Sequence, residues 1–202
     1  MDSHTKIRVW DPLVRLFHWS LVAGFITAYL SQEDYLALHT WAGYLIAGLV
    51  VWRIVWGIIG TDTARFVSFV RSPGVVWQYL KDSLNQRASR YLGHNPAGGL
   101  MIVLLLICLG LTTLSGMAVY GLGDHAGPLA LLYKIAAKTG FVWQERLEDI
   151  HEFLAHFTLF LIATHVAGVV VDSVFHRENL VRAMIDGRKR VGKIDLQQEG
   201  QI

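Results

Sequence analysis

The chain contains little charge and almost no cysteine. Of its 202 residues, 17% are charged and one, Cys108, is a cysteine, whereas 53% are hydrophobic. A lone cysteine excludes a disulfide within the chain. The formal net charge of only +2 gives no indication of a nucleic-acid partner. The sequence also lacks internal repeats and low-complexity segments, so we expect one domain over residues 1–202.

The sequence predicts no cleavable signal peptide either. The basic start is followed by Asp11, Pro12, Arg15 and His18, where a signal peptide would have an uninterrupted apolar run and a small-residue cleavage site. We therefore expect the first apolar segment to be retained as a helix.

Long apolar stretches are what the sequence has in abundance. Four of them lie at about residues 13–30, 38–59, 98–120 and 150–175. Each is long enough for a helix to cross a hydrocarbon core about 30 Å thick. They predict an all-α membrane protein, a bundle of four transmembrane helices embedded in lipid.

The basic residues predict the orientation of this bundle. Fifteen of the 18 Lys and Arg residues precede helix 1, lie between late helix 2 and helix 3, or follow helix 4. By the positive-inside rule, both termini are then cytoplasmic. The net positive charge thus reflects membrane topology.

Three segments outside the spans are predicted to form short helices or are long enough to contain them. Residues 73–84 predict either an amphipathic interfacial helix, with Trp77 and Tyr79 at headgroup depth, or an ordinary loop. The segment from Gly121 to Asp149 is long enough for surface helices. The cytoplasmic tail, 176–202, predicts a short helix ended by Gly187 and then a basic, mobile end.

The candidate metal ligands are histidines. His151 and His165 are fourteen residues apart, about 40° short of four helical turns and roughly 21 Å along the axis, so they share one face at two depths. Because helices 2 and 4 run in the same direction and helix 1 runs opposite, His39 is expected to meet His151 on the outer side. His18 is expected to meet His165 on the cytoplasmic side.

These paired depths indicate two haem groups with two histidine ligands each. A single membrane histidine can simply hydrogen-bond to a neighbouring helix, but four with matched depth and face favour ligation, because intramembrane ionisable groups are costly and usually functional. No CxxCH motif is present, so the haems are held noncovalently. Two imidazole ligands leave iron no open site, which suits electron transfer.

Two glycines and one arginine are further candidates for the haem sites. Gly43 follows His39 by one turn and Gly168 follows His165 by three residues, so each either admits the flat macrocycle or serves helix packing. Arg53 lies fourteen residues after His39 and is expected to pair with a propionate of the inner haem.

The remaining candidates have competing interpretations. Arg8 and Arg15 either pair with propionates or anchor the cytoplasmic side. His94 and Asn95 are candidate quinone contacts by their cytoplasmic position. His94 is alternatively a spare ligand or a propionate partner, or else it has a cap or interface role. His156 lies about 140° from His151 around the helix and is expected to make an interhelix hydrogen bond.

Four stretches of sequence resemble a known family, the bacterial cytochrome b561 and nickel-iron-hydrogenase cytochrome b proteins. They are VWDPLVRLFHW, HTWAGYLIAGLVVWRIVWG, YLGHNPAGG and HEFLAHFTLFLIATHVAGVVVDSVFHRENLVRAMIDGRKR. The resemblance implies haem b ligands at His18, His39, His151 and His165, exchange with the membrane quinone pool, and a place in the bacterial inner membrane.

Three functions are consistent with these features. The first is an electron conduit between quinone and a periplasmic redox partner, either a c-type cytochrome or a dehydrogenase. The second is a stand-alone quinone oxidoreductase that uses a small reductant such as superoxide, which the scarcity of basic residues on the outer side weakens. The third, a membrane scaffold or metal-binding protein without haem, is disfavoured by the paired histidines. The bundle acts either as a monomer or as a homodimer.

Overall fold

A computed structural model describes residues 5–32, 34–91, 93–139 and 143–191. Its elements, in chain order, are β1 (Thr5–Arg8), α1 (Pro12–Ser31), α2 (Leu36–Ile59), α3 (Phe66–Phe69), α4 (Pro73–Leu84), α5 (Pro96–Gly123), α6 (Leu131–Thr139), α7 (Trp143–Phe175), α8 (Leu180–Asp186) and β2 (Arg188–Val191). The chain is therefore mostly helical, as the sequence predicts.

Four of these helices, α1, α2, α5 and α7, are long and apolar enough to cross a membrane. They contain the four apolar stretches of the sequence, so the predicted spans are confirmed. The largest difference in bounds is at α7, which begins at Trp143 and not near residue 150. Its first residues, WQERLED, are too polar for a hydropathy pattern to detect, although they continue the helix.

The fold divides into two compact units that share these helices. Unit 1 is drawn from Met1–His18, Val55–Met101 and His165–Ile202, and unit 2 from Trp19–Ile54 and Ile102–Thr164. Each spanning helix thus contributes one end to each unit. Unit 1 gathers the segments that the basic residues assign to the cytoplasmic side.

A carboxylate in unit 1 fixes the start of α1. The Leu13 N–H donates to Asp11 Oδ1 at 2.6 Å, and Thr61 Oγ1 donates to Asp11 Oδ2 at 2.9 Å. Pro12, which has no N–H to satisfy, occupies the first helical position. Asp11, one of the residues that distinguish this segment from a signal peptide, therefore caps the helix.

The tail differs from the sequence prediction. Gly187 does end α8 in the left-handed conformation, at φ 77°. Residues 188–191, predicted to be mobile, instead form β2 and pair antiparallel with β1. The Gly187 carbonyl adds to this pairing by accepting the N–H groups of Val9 and Trp10, at 2.9 and 3.2 Å. The rest of the predicted mobile end, 192–202, lies outside the described residues.

The interfacial helix is also partly corrected. Residues 73–84 do form a helix, and Trp77 is exposed, but Tyr79 is buried and not at a lipid-facing surface. Its ring packs against Tyr91 with 5.7 Å between centroids. Burial, together with the nearby Asp172 carboxylate, raises the pKa of Tyr79 to about 12. This side of α4 therefore packs onto the protein.

A small ionic cluster ties the tail to the segment before α5. Glu178 forms ion pairs with Arg90 and with Lys189, whose Nζ lies 3.6 Å from Glu178 Oε2. Lys189 Nζ also donates to the Tyr91 carbonyl at 3.2 Å. Burial lowers the pKa of Lys189 to about 8, and the Asp172 carboxylate partly opposes this shift.

Replacing Glu178 by glutamine is expected to loosen β2. Removal of one partner from a largely buried ion pair leaves the other charges uncompensated, so the free energy of local opening should fall by about 1 to 3 kcal/mol. Amide hydrogen exchange of residues 188–191 measures this. The control is Asp186→Asn, because the Arg182–Asp186 pair at 3.6 Å is exposed and worth less than about 1 kcal/mol. Equal protection of β2 in both variants would contradict the role of Glu178.

Candidate functional site

Two of the four candidate histidines meet within unit 2. His39 lies in the first turn of α2, and His151 lies on α7. Their ring centroids are 6.0 Å apart and the ring planes are nearly perpendicular, at 84°. The structure therefore brings together the pair that the topology assigns to the outer side.

The hydrogen bonds of both rings determine which nitrogen carries the proton. His39 Nδ1 lies 2.8 Å from the Ala28 carbonyl oxygen, and His151 Nδ1 lies 3.0 Å from that of Thr112. A carbonyl oxygen only accepts, so each Nδ1 donates its proton. Nε2 then keeps its lone pair in both rings, which is the usual state of a metal-binding histidine whose other nitrogen is held by a carbonyl.

The spacing of the rings fits one metal ion between them. Imidazole nitrogens bind metal ions at about 2 Å, so two Nε2 ligands on opposite sides of one iron would have ring centres roughly 6 Å apart. The observed 6.0 Å agrees with this value. The donor set, two neutral imidazoles, is one that haem iron accepts.

A glycine of α5 makes room for the His151 ring. A Cβ atom at Gly116 would lie 2.8 Å from His151 Cε1 and 3.2 Å from Nδ1, closer than side chains tolerate. Gly116 was not predicted from the sequence, because it lies in the most apolar span and no spacing rule relates it to a histidine.

One hydroxyl group contacts the same ring, and two more meet each other on the same pair of helices. Ser115 Oγ lies 3.1 Å from His151 Nδ1. Thr158, which is completely buried, lies two turns after His151 on α7 and meets Thr112 with 3.2 Å between the hydroxyl oxygens. These residues were also missed, although hydroxyls inside a strongly apolar span are an indication that the sequence offers.

The second pair lies in unit 1. His18 on α1 and His165 on α7 are both partly buried and close enough to interact electrostatically. This is the pair expected on the cytoplasmic side.

Neither candidate glycine is required by packing within the described chain. A Cβ atom at Gly43 or Gly168 would meet no atom within 4 Å. Tight helix packing, the alternative to contact with a macrocycle, therefore does not account for a glycine at either position.

The three candidate arginines have different surroundings. Arg53, in α2, is only 2% exposed, which is unusual for a charged side chain inside an apolar span. Arg15 donates from Nη1 to the Ile185 carbonyl at the end of α8. Arg8 is exposed on β1, opposite Arg188.

His94 and Asn95 have structural contacts in unit 1. The His94 ring lies between those of Trp10 and Phe69, at centroid distances of 4.5 and 4.6 Å. Asn95 Oδ1 accepts the Gly98 N–H at 2.7 Å and so caps α5. The cap and interface roles weighed for this motif are thus what the contacts show.

The interhelix hydrogen bond predicted for His156 is not formed in the described structure. Its Nδ1 bonds to the Glu152 carbonyl of its own helix, 3.0 Å away, because that acceptor lies one turn earlier on α7. Across the helices, the His156 ring meets the edge of Tyr29, with 6.3 Å between centroids.

Comparison with known proteins places the chain in a family. The sequence profile of the family described as "Prokaryotic cytochrome b561" matches residues 9–187. A probable Ni/Fe-hydrogenase B-type cytochrome subunit of Rhizobium leguminosarum bv. viciae is 23% identical, with 91% of this chain and 89% of the relative covered. A protein of the same name from Azotobacter vinelandii is 24% identical, with 92% and 89% covered. No solved structure matches significantly.

The family profile spans nearly the whole chain, and the four spanning helices agree with it. The chain therefore belongs to the prokaryotic cytochrome b561 family of multi-pass bacterial membrane proteins, which carry haem b and transfer electrons.

Proposed function

We propose that the chain holds two haem b groups, one between His39 and His151 and one between His18 and His165, and passes electrons between quinone and a periplasmic redox partner. The observation that carries the proposal is the geometry of the first pair. Its rings are 6.0 Å apart, and both Nδ1 atoms donate to helix carbonyls. This arrangement leaves two Nε2 lone pairs for one metal.

The histidine side chains would hold the haem in place, and haem b supplies a reversible one-electron couple when bound. Two histidines per iron leave no coordination site for oxygen. The carbonyls of Ala28 and Thr112 hold the rings of His39 and His151 in one tautomer. Because these acceptors belong to α1 and α5, four elements of one unit fix the site.

Arg53 is our proposed propionate partner. Arg53 is 2% exposed and lies fourteen residues after His39 in an apolar span, and this position supports pairing of its guanidinium with a haem propionate. The contacts of Arg15 with α8 and the exposure of Arg8 favour anchoring for these two residues.

Gly43→Ala is expected to weaken haem binding although the new methyl group meets no protein atom within 4 Å. If the macrocycle lies against Gly43, a Cβ atom at this position collides with it. Haem affinity should then fall about tenfold, a loss typical of mutations next to a metal ligand. Haem titration of the apoprotein measures this. Gly48→Ala is the matched control, because Gly48 lies on the same helix with equally open surroundings. Equal haem affinity in the two variants would remove the argument for Gly43.

The redox partner is proposed from the relatives. Their names describe b-type cytochrome subunits of Ni/Fe hydrogenases, so this chain is expected to work beside a redox enzyme. A periplasmic dehydrogenase or c-type cytochrome would fill that place. The quinone exchange rests on the family resemblance, and His94 and Asn95 remain its predicted contacts despite their structural roles.

Electron transfer in proteoliposomes that contain ubiquinone tests this function. Haem reduction is followed by stopped-flow absorbance after addition of ferrocytochrome c, of a Ni/Fe hydrogenase with hydrogen, or of superoxide. We expect a protein donor to reduce the haems and the quinone. Fast quinone reduction by superoxide alone would instead support the stand-alone oxidoreductase.

A further inference from the structure

Ser115 has a buried hydroxyl group that contacts both its own helix and the His151 ring. Its Oγ donates to the Thr112 carbonyl at 2.9 Å and lies 3.1 Å from His151 Nδ1. The side chain is 8% exposed and lies one residue before Gly116, against which the His151 ring rests. Ser115 thus belongs to the immediate surroundings of that ring.

The direction of the Ser115–His151 hydrogen bond follows from the proton count. A serine has one hydroxyl hydrogen, and here it goes to the Thr112 carbonyl. Ser115 Oγ is therefore an acceptor for the proton on His151 Nδ1. His151 has two acceptors on α5, whereas the described contacts give His39 Nδ1 one, the Ala28 carbonyl at 2.8 Å.

We propose that Ser115 is a positioning residue that sets the orientation and electron donation of His151, and thereby the redox equilibrium of the haem bound by His39 and His151. The inference rests on the proposed ligation. The two ligands of one iron would then differ in their hydrogen bonds, because the His39 ring has one acceptor and the His151 ring has two.

The physical basis is the effect of acceptors on a ligating imidazole. An acceptor at Nδ1 raises the basicity of the ring, and a more basic ligand stabilises the oxidised iron more than the reduced iron. Two acceptors on either side of the N–H also restrict rotation of the ring. Removing the Ser115 hydroxyl therefore favours the reduced state and loosens the perpendicular arrangement of the two rings.

The test is the midpoint potential of this haem in Ser115→Ala, measured by spectroelectrochemistry of the purified haem-loaded chain. The equilibrium constant for reduction should rise about three- to tenfold, where tenfold corresponds to about 59 mV for one electron. Ser115→Thr keeps the hydroxyl and should restore the original potential. The matched control is Thr113→Val, because Thr113 Oγ1 bonds only to carbonyls of its own helix, at 2.9 and 3.1 Å.

Several results would overturn the proposal. An unchanged potential would show that Ser115 only supports the helix, and a fall would show that its hydroxyl acts by competing for the Thr112 carbonyl. If the alanine variant loses haem, Ser115→Cys, with a weaker acceptor, must shift the potential upward. Wild-type protein that binds no haem at His39 and His151 would contradict the proposed function itself, a result distinct from haem binding with an unchanged potential.

Discussion

Replacement of His151 by alanine is expected to remove one haem b from each chain and to leave a second in place. His151 and His39 belong to unit 2, whereas His18 and His165 belong to unit 1. Loss of one ligand therefore removes the support for one haem only. The haem content of the purified variant and its reduced-minus-oxidised spectrum measure the effect, and His39→Ala should lose the same spectral component.

His156→Ala is the control on the same helix. His156 is exposed and bonds only to its own helix through Nδ1, so this variant should keep both haems. The helical content by circular dichroism shows whether each variant is folded. The proposed pairing would be wrong if folded His151→Ala kept two haems, or if His39→Ala lost a different haem.

Gly116→Ala should have a comparable effect without touching a ligand. The new Cβ would lie 2.8 Å from His151 Cε1, and the ring cannot move away without lengthening its bonds to Thr112 and Ser115. We expect about a 10- to 100-fold loss of haem affinity at this site, the range typical of residues that support metal ligands. Titration of apoprotein with haem, followed by absorbance, measures the loss.

Gly110→Ala provides the comparison for this variant. Its Cβ would meet Val50 Cγ1 at 3.9 Å, an ordinary contact, on the same helix. Haem affinity should therefore be unchanged. If both alanine variants bound haem equally well, the close approach of Gly116 to the His151 ring would have no functional meaning.

The spanning helices were predictable because their signal is composition over long windows. All four spans follow from apolar length, and the pairing of His39 with His151 follows from helix direction and depth. Neither argument needs side-chain detail. The polar start of α7 was not predicted for the same reason. Hydropathy does not detect helical residues that lie outside an apolar stretch.

Contacts that neither apolar length nor histidine spacing specifies were not predictable. β1 and β2 are four-residue segments rich in charge, and their pairing places Arg8 opposite Arg188, which no local propensity would suggest. The buried position of Tyr79 depends on Tyr91 and Asp172 from other segments. The roles of Ser115 and Gly116 require knowing which helix passes the His151 ring.

The haem-to-protein ratio of the purified chain tests the central claim most directly. Pyridine haemochrome analysis, combined with amino-acid quantification, is expected to give two haem b per chain, with a b-type spectrum on reduction. A ratio of one would contradict the proposal that both histidine pairs bind haem, and a chain without haem would contradict the ligation scheme as a whole.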